Sequence, residues 1–161
     1  MVAAVRGWQA AVDAASVELE SVQAAQPASA PGGVGNLNAQ QLANARTIID
    51  VGRGMGLPQR AQVIALATAA QESTLRNLDH GDRDSLGLFQ QRPSQGWGTP
   101  AQIEDPVYAS TKFYQALQQV PNWQNLPVTV AAQKVQHSAF PGAYAKWEPL
   151  ADELVRKYPN G

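Results

Sequence analysis

The stretch ATAAQESTLRNLDHGDRDSLGLFQQRP, residues 67–93, changes character twice. It opens as the end of an alanine-rich apolar run that closes on one acid, Glu72, the only acidic residue between Asp50 and Asp79. A polar loop carrying Asp79, Asp82 and Asp84 follows, and then Gly87-Leu88-Phe89-Gln90-Gln91. The run leading into Glu72, QRAQVIALATAAQES, is apolar on most sides, which predicts a helix buried at the centre of a helical domain. Ala65, Thr68, Ala69 and Glu72 share one face of that helix by their spacing.

Outward from this helix the pattern stays helical. Upstream, Asn38 with Gln41 forms a capping-box signature that opens a helix carrying Leu42, Ala45, Ile48, Ile49 and Met55, closed by Gly54 and Gly56. Pro58 is expected in the first turn of the apolar helix. Downstream, residues 76–99 read as a loop with room for a short hairpin and no long alternating strand. A loop of this length in a compact domain is usually a binding loop. Asp105-Pro106 caps the next helix, YASTKFYQALQQV, and further helices are expected at about 127–138 and 145–157. The fold class is therefore mainly α, a domain spanning 37–161. Residues 24–36, AAQPASAPGGVGN, are a Pro/Gly/Ala linker. Before it, Val5, Trp8, Val12, Ala15, Leu19 and Val22 recur in steps of three and four. They predict an N-terminal amphipathic helix over residues 2–23, suited either to docking on a protein partner or to packing on its own domain.

Bulk properties narrow the function. The chain has 161 residues, a net charge of −1 and scattered Lys and Arg, unlike the basic stripe of a nucleic-acid binder. The absence of cysteine removes disulfides, thiolate metal sites and cysteine nucleophiles. No apolar run is long enough to span a bilayer, and residues 1–15, interrupted by Arg6, Gln9 and Asp13, lack a secretory apolar core.

Glu72 is where acid–base chemistry concentrates. Partial burial disfavours a carboxylate, and so does the partial negative charge at a helix C-terminus. No Lys or Arg lies within a turn before it, and Arg76 would oppose the effect only by folding back. These effects raise its proton affinity and suit it to donate a proton near neutral pH.

The pairing of Glu72-Ser73 with Gly87-Leu88-Phe89-Gln90 resembles the lysozyme-like superfamily. Within it, the chain is most similar to soluble lytic transglycosylases, whose pattern is Glu-Ser, a loop, then Gly-Leu-Met-Gln. Goose-type and animal lysozymes and resuscitation-promoting factors share related versions. The similarity covers roughly residues 40–150 and includes the order of helices. It implies a lysozyme-like domain with a long active-site loop or small hairpin, cleaving the MurNAc–GlcNAc β-1,4 bond of peptidoglycan with no cofactor or metal. It also implies an extracytoplasmic setting: cell wall, secreted, or phage-borne. By the same carry-over Glu72 is the general acid and then the base, and Ser73 supports its orientation. Gln90 hydrogen-bonds sugar or braces the loop against the catalytic helix. Ser85, Gln91 and Trp97 join Ser73 and Gln90 as candidate substrate contacts, with Trp97 equally suited to plugging the loop onto the core.

Two departures from the family pattern bear on mechanism. Where animal lysozymes place an Asp, two residues before the motif glycine, this chain has Ser85; Asp84 and Asp82 are the nearest candidates for a second carboxylate. The Ala-Tyr-Asn segment of a late transglycosylase helix corresponds to the neighbourhood of Lys134-Val135-Gln136, which lacks the tyrosine. Gln136 is the candidate replacement for its amide, and Tyr144 for its phenol. A retaining hydrolase needs two carboxyl groups about 5–5.5 Å apart. A transglycosylase needs one, because the C6 hydroxyl of the sugar replaces water. Ser85 therefore favours the transglycosylase reading over a muramidase. A third reading is a non-catalytic glycan-binding or structural subunit of a secretion, conjugation or phage apparatus, docked through residues 2–23.

Asp79, Asp82 and Asp84 in a Gly-containing loop also suit calcium in outline, but the spacing misses the EF-hand pattern and Gln90 stands where the bidentate Glu would be. His80 and His137 are too few and too far apart for zinc. Trp123 and Trp147 are expected in the core.

Overall fold

The structure is a computed structural model and describes residues 33–159. The expected amphipathic helix over 2–23 and most of the linker lie outside the described residues. The described residues form six α-helices: α1 (Ala39–Gly54), α2 (Gln59–Ser73), α3 (Pro100–Ile103), α4 (Pro106–Gln118), α5 (Val128–Gln136) and α6 (Glu148–Lys157). Short 3-10 turns at Val34–Asn36, Pro93–Gln95, Trp123–Asn125 and Ala145–Trp147 join them. The described part is mainly α, as expected, and no strand occurs among the described residues.

α2 is the hub. Every residue from Ala61 to Ala70 is buried, and α1, α4, α5 and α6 all pack against it. Its alanines make this crowding feasible: a helix surfaced with Ala61, Ala65, Ala67, Ala69 and Ala70 lets four neighbours approach closely, with little side-chain entropy to lose. α1 and α4 meet just as tightly at Gly52. A Cβ there would stand 2.8 Å from the Tyr114 ring, and the Tyr114 hydroxyl donates to the Ile48 carbonyl at 2.7 Å.

The helix ends follow local chemistry. Asn38 and Gln41 form the reciprocal capping box of α1. The Asp105 side chain accepts from the Val107 N–H at the start of α4, with Pro106 in the first turn. Pro58 takes the cap position rather than the first turn of α2, so the helix begins one residue later, at Gln59. α5 ends at Gln136 because His137 adopts the left-handed conformation, φ 52°. The last expected helix is split into a 3-10 turn and then α6, whose first turn carries Pro149.

The long connection from α2 to α3 contains the hairpin in its smallest form. Leu86 and Gln91 pair as one antiparallel bridge around the turn Gly87–Gln90. Gly87 sits at φ 80°, and a Cβ on it would lie 2.8 Å from the Ile103 carbonyl, so this turn requires glycine. Trp123 and Trp147 are buried, as expected of core tryptophans.

Candidate active site

Glu72 occupies the last turn of α2, half-buried, one residue before the helix ends. Its carboxylate is held from two sides. The Tyr144 hydroxyl donates to Oε2 at 2.9 Å, and the Gln136 amide donates to the same oxygen at 3.1 Å. Tyr144 is fully buried, so its phenol has little freedom to turn away. The second Gln136 N–H reaches the Phe89 carbonyl at 2.9 Å, which commits both amide hydrogens. α2, the loop after α5, the end of α5 and the Gly-Leu-Phe-Gln turn therefore converge on one carboxyl group.

The turn that supplies Phe89 is tied down by its own apolar residues. Leu88 and Phe89 are fully buried, and Phe89 stacks on Phe113 of α4 with ring centroids 4.8 Å apart. That plug leaves two carbonyls facing the ends of α2 and α5. Leu88 O accepts from the Ser73 hydroxyl at 2.8 Å, and Phe89 O from Gln136. The Ser73 oxygen also accepts from the Arg76 N–H at 3.2 Å. Ser73, buried beside Glu72, thus welds the helix end to the loop and does not face outward.

Immediately after Ser73 the chain takes an uncommon course. Thr74 and Leu75 both adopt left-handed geometry, φ 54° and 62°, in a stretch without glycine. Each such residue costs roughly 1–2 kcal/mol. α1 offsets this by receiving their carbonyls: Gln41 Nε2 donates to Thr74 O at 2.8 Å and Asn44 Nδ2 to Leu75 O at 2.9 Å. Gln41 and Asn44 are buried polar residues that sequence reading did not connect with the site. Their only signal was an amide at Asn44 on the face that carries Ala45 and Ile48.

Gln71, preceding Glu72, binds the other end of the same late segment. Its Oε1 accepts from Trp147 Nε1 at 2.8 Å and from Lys146 Nζ at 2.9 Å. Burial holds the Lys146 ammonium below its usual pKa. A cavity of about 260 Å3 lies beside the α2 end, bounded by Leu37, Ala70, Thr74, Leu75, Trp147 and Leu150 among others.

The remaining candidates occupy other places. Gln91 is buried, with its amide donating to the Ala109 carbonyl, so it ties the loop to α4 and is sealed from ligand. Ser85 is buried too, its N–H on the Asp82 carbonyl. The Gln90 amide reaches the carbonyls of His80 and Gly87, which braces the loop on itself; the brace to α2 and α5 comes from Ser73 and Gln136 instead. Trp97 packs, partly buried, against the hydrophobic core.

Asp84 is committed elsewhere. One of its oxygens lies 2.6 Å from Arg92 Nε and the other accepts from the Ser94 N–H at 2.9 Å. Partial burial alone would raise its pKa, but these two donors outweigh it and hold the group at about 2. The Asp82 side chain is 91% exposed, beside Arg83. Asp79 pairs with His80, whose hydrogen bond and charge lower its pKa. Among the described residues, no group of three or more His, Cys, Asp or Glu could hold a metal ion. Nor is any helix among the described residues long and apolar enough to cross a membrane.

In comparison with known proteins, no family model matches the chain and no curated protein sequence matches it significantly.

Proposed function

We propose that this chain cleaves the MurNAc–GlcNAc β-1,4 bond of peptidoglycan as a lytic transglycosylase of lysozyme-like type, with Glu72 as its single acid and base. The observation that carries this reading is the double clamp on Glu72 Oε2 by Tyr144 and Gln136. These are the two residues offered as replacements for the phenol and amide of the family's late motif, and they meet on the acid that the early motif supplies.

The chemistry follows from the clamp. With Oε2 accepting two hydrogen bonds, the transferable proton belongs on Oε1. Protonating the glycosidic oxygen breaks the C1–O bond and leaves a carboxylate whose new charge meets two donors already in place. The oxocarbenium-like sugar is then attacked at C1 by its own C6 hydroxyl. Glu72 takes up the hydroxyl proton, and a 1,6-anhydro ring closes with no water consumed. Asp84, tied to Arg92 and Ser94, and Asp82, projecting into solvent, are poorly placed to act as a fixed second carboxylate. That favours one-carboxylate chemistry over the hydrolytic pair.

The test is mass spectrometry of muropeptides released from purified sacculi. Anhydro ends are expected. Reducing ends would assign a muramidase, and no release at all would leave only the glycan-binding or structural reading.

A further inference from the structure

Phe140 is the one exposed aromatic side chain among the described residues, 48% accessible, whereas every other described aromatic is at least partly covered. A lone exposed apolar residue is ordinary on a protein surface; the setting of this one is not. It lies in the segment between Gln136 and Tyr144, the two residues that hold Glu72.

That segment is fastened to α5 along its length. The Gln133 amide donates to the Ser138 carbonyl at 3.0 Å, and the Ser138 hydroxyl donates back to Gln133 Oε1 at 3.0 Å. The Ser138 hydroxyl oxygen accepts from the Phe140 N–H at 3.2 Å, and Thr129 donates to the Pro141 carbonyl at 2.6 Å. Pro141 further restricts the Phe140 backbone. A ring kept in water on a loop whose backbone is so held is largely pre-organised for a partner, and stacking on it needs little backbone ordering. Its position is also defined. The clasp from Thr129 to Pro141 returns the chain to the start of α5. Thr129 is seven residues, about 10 Å along α5 and on the same helix face, from Gln136, whose amide reaches Glu72. A glycan strand cut at Glu72 extends beyond one sugar ring on either side of the scissile bond.

We infer that Phe140 is a sugar-stacking platform that holds the glycan strand at a ring removed from the cleaved bond, so that it sets strand affinity without taking part in bond cleavage. The axial C–H bonds of a pyranose give it an apolar face that suits the negative face of a phenyl ring. This inference rests on the function proposed above.

The experiment uses the full chain and soluble peptidoglycan glycan strands, comparing wild type with Phe140→Ala and Phe140→Trp. Phe140→Ala should raise KM roughly five- to tenfold with kcat within about twofold and the melting temperature unchanged. Phe140→Trp should restore KM, and its added indole fluorescence should shift when strands bind in a Glu72→Gln background. Equal KM in wild type and Phe140→Ala, or an indole that does not respond to strands bound by that background, overturns the inference and leaves the proposed function intact. Strands neither cut by wild type nor bound by Glu72→Gln would remove the function and this inference together.

Discussion

At the scale of single residues, the account depends on how Glu72 is held. Glu72→Gln keeps the shape and removes the proton. Sacculus clearing should fall to background while the melting temperature stays the same or rises slightly, since a half-buried carboxyl is replaced by a neutral amide. Tyr144→Phe is subtler, because the ring still fills its buried site while the donor to Oε2 is lost. Stability should drop by about 1 kcal/mol. The kcat should fall about tenfold or more with KM nearly unchanged, as for a donor that stabilises charge formed during the reaction. Steady-state kinetics on soluble glycan strands separates the two parameters.

At the scale of elements, the loop and the turn after α2 are pinned by groups distant in sequence. Asn44→Ala removes the buried donor to the Leu75 carbonyl, on a residue already in left-handed geometry. Chemical denaturation should show a loss of about 1–3 kcal/mol, together with reduced activity as the end of α2 loosens. The Asp84 clamp gives a pH-dependent prediction. Its folded pKa, about 2, lies below the ordinary value of 3.8. Its contribution is therefore complete above about pH 4 and is lost as the pH falls through about 2. Asp84→Asn should remove the acid-dependent part of loop protection in that window, as read by hydrogen exchange or proteolysis of residues 80–96.

These elements also show what sequence alone could reveal. The burial of α2 was legible because its apolar run leaves no polar face, and the caps at Asn38 and Asp105 were legible because capping is local chemistry. The roles inside the loop were not. They depend on which carbonyls face which donors, and those pairs lie 15 residues apart for Ser73–Leu88 and 47 for Gln136–Phe89. The strained turn left no trace in Thr74 and Leu75 themselves, since neither is glycine. What permits it is a pair of amides on α1. Gln91 reads as a ligand contact because, in sequence, a polar residue in a loop looks the same whether it binds a sugar or a neighbouring carbonyl.

Across the whole molecule, one small-residue helix carries both the core and the acid. Four helices pack around α2 and leave Ala69 fully buried. Ala69→Leu should destabilise the domain by about 1–3 kcal/mol in thermal or denaturant unfolding. It should also disturb activity, because Glu72 lies one turn further along the same helix. The low charge and small side chains that make α2 a good hub give Glu72 its half-dry position, while the loop plugged by Phe89 and the late segment ending at Tyr144 bring in the hydrogen bonds that orient it.

The most direct measurement is the mass of the muropeptides released from purified sacculi by wild type and by Glu72→Gln. Wild type should release 1,6-anhydro products, lighter by one water than their reducing counterparts, and Glu72→Gln should release none. Reducing ends from wild type, or product from Glu72→Gln at the wild-type rate, would contradict a lone glutamate acting as both acid and base.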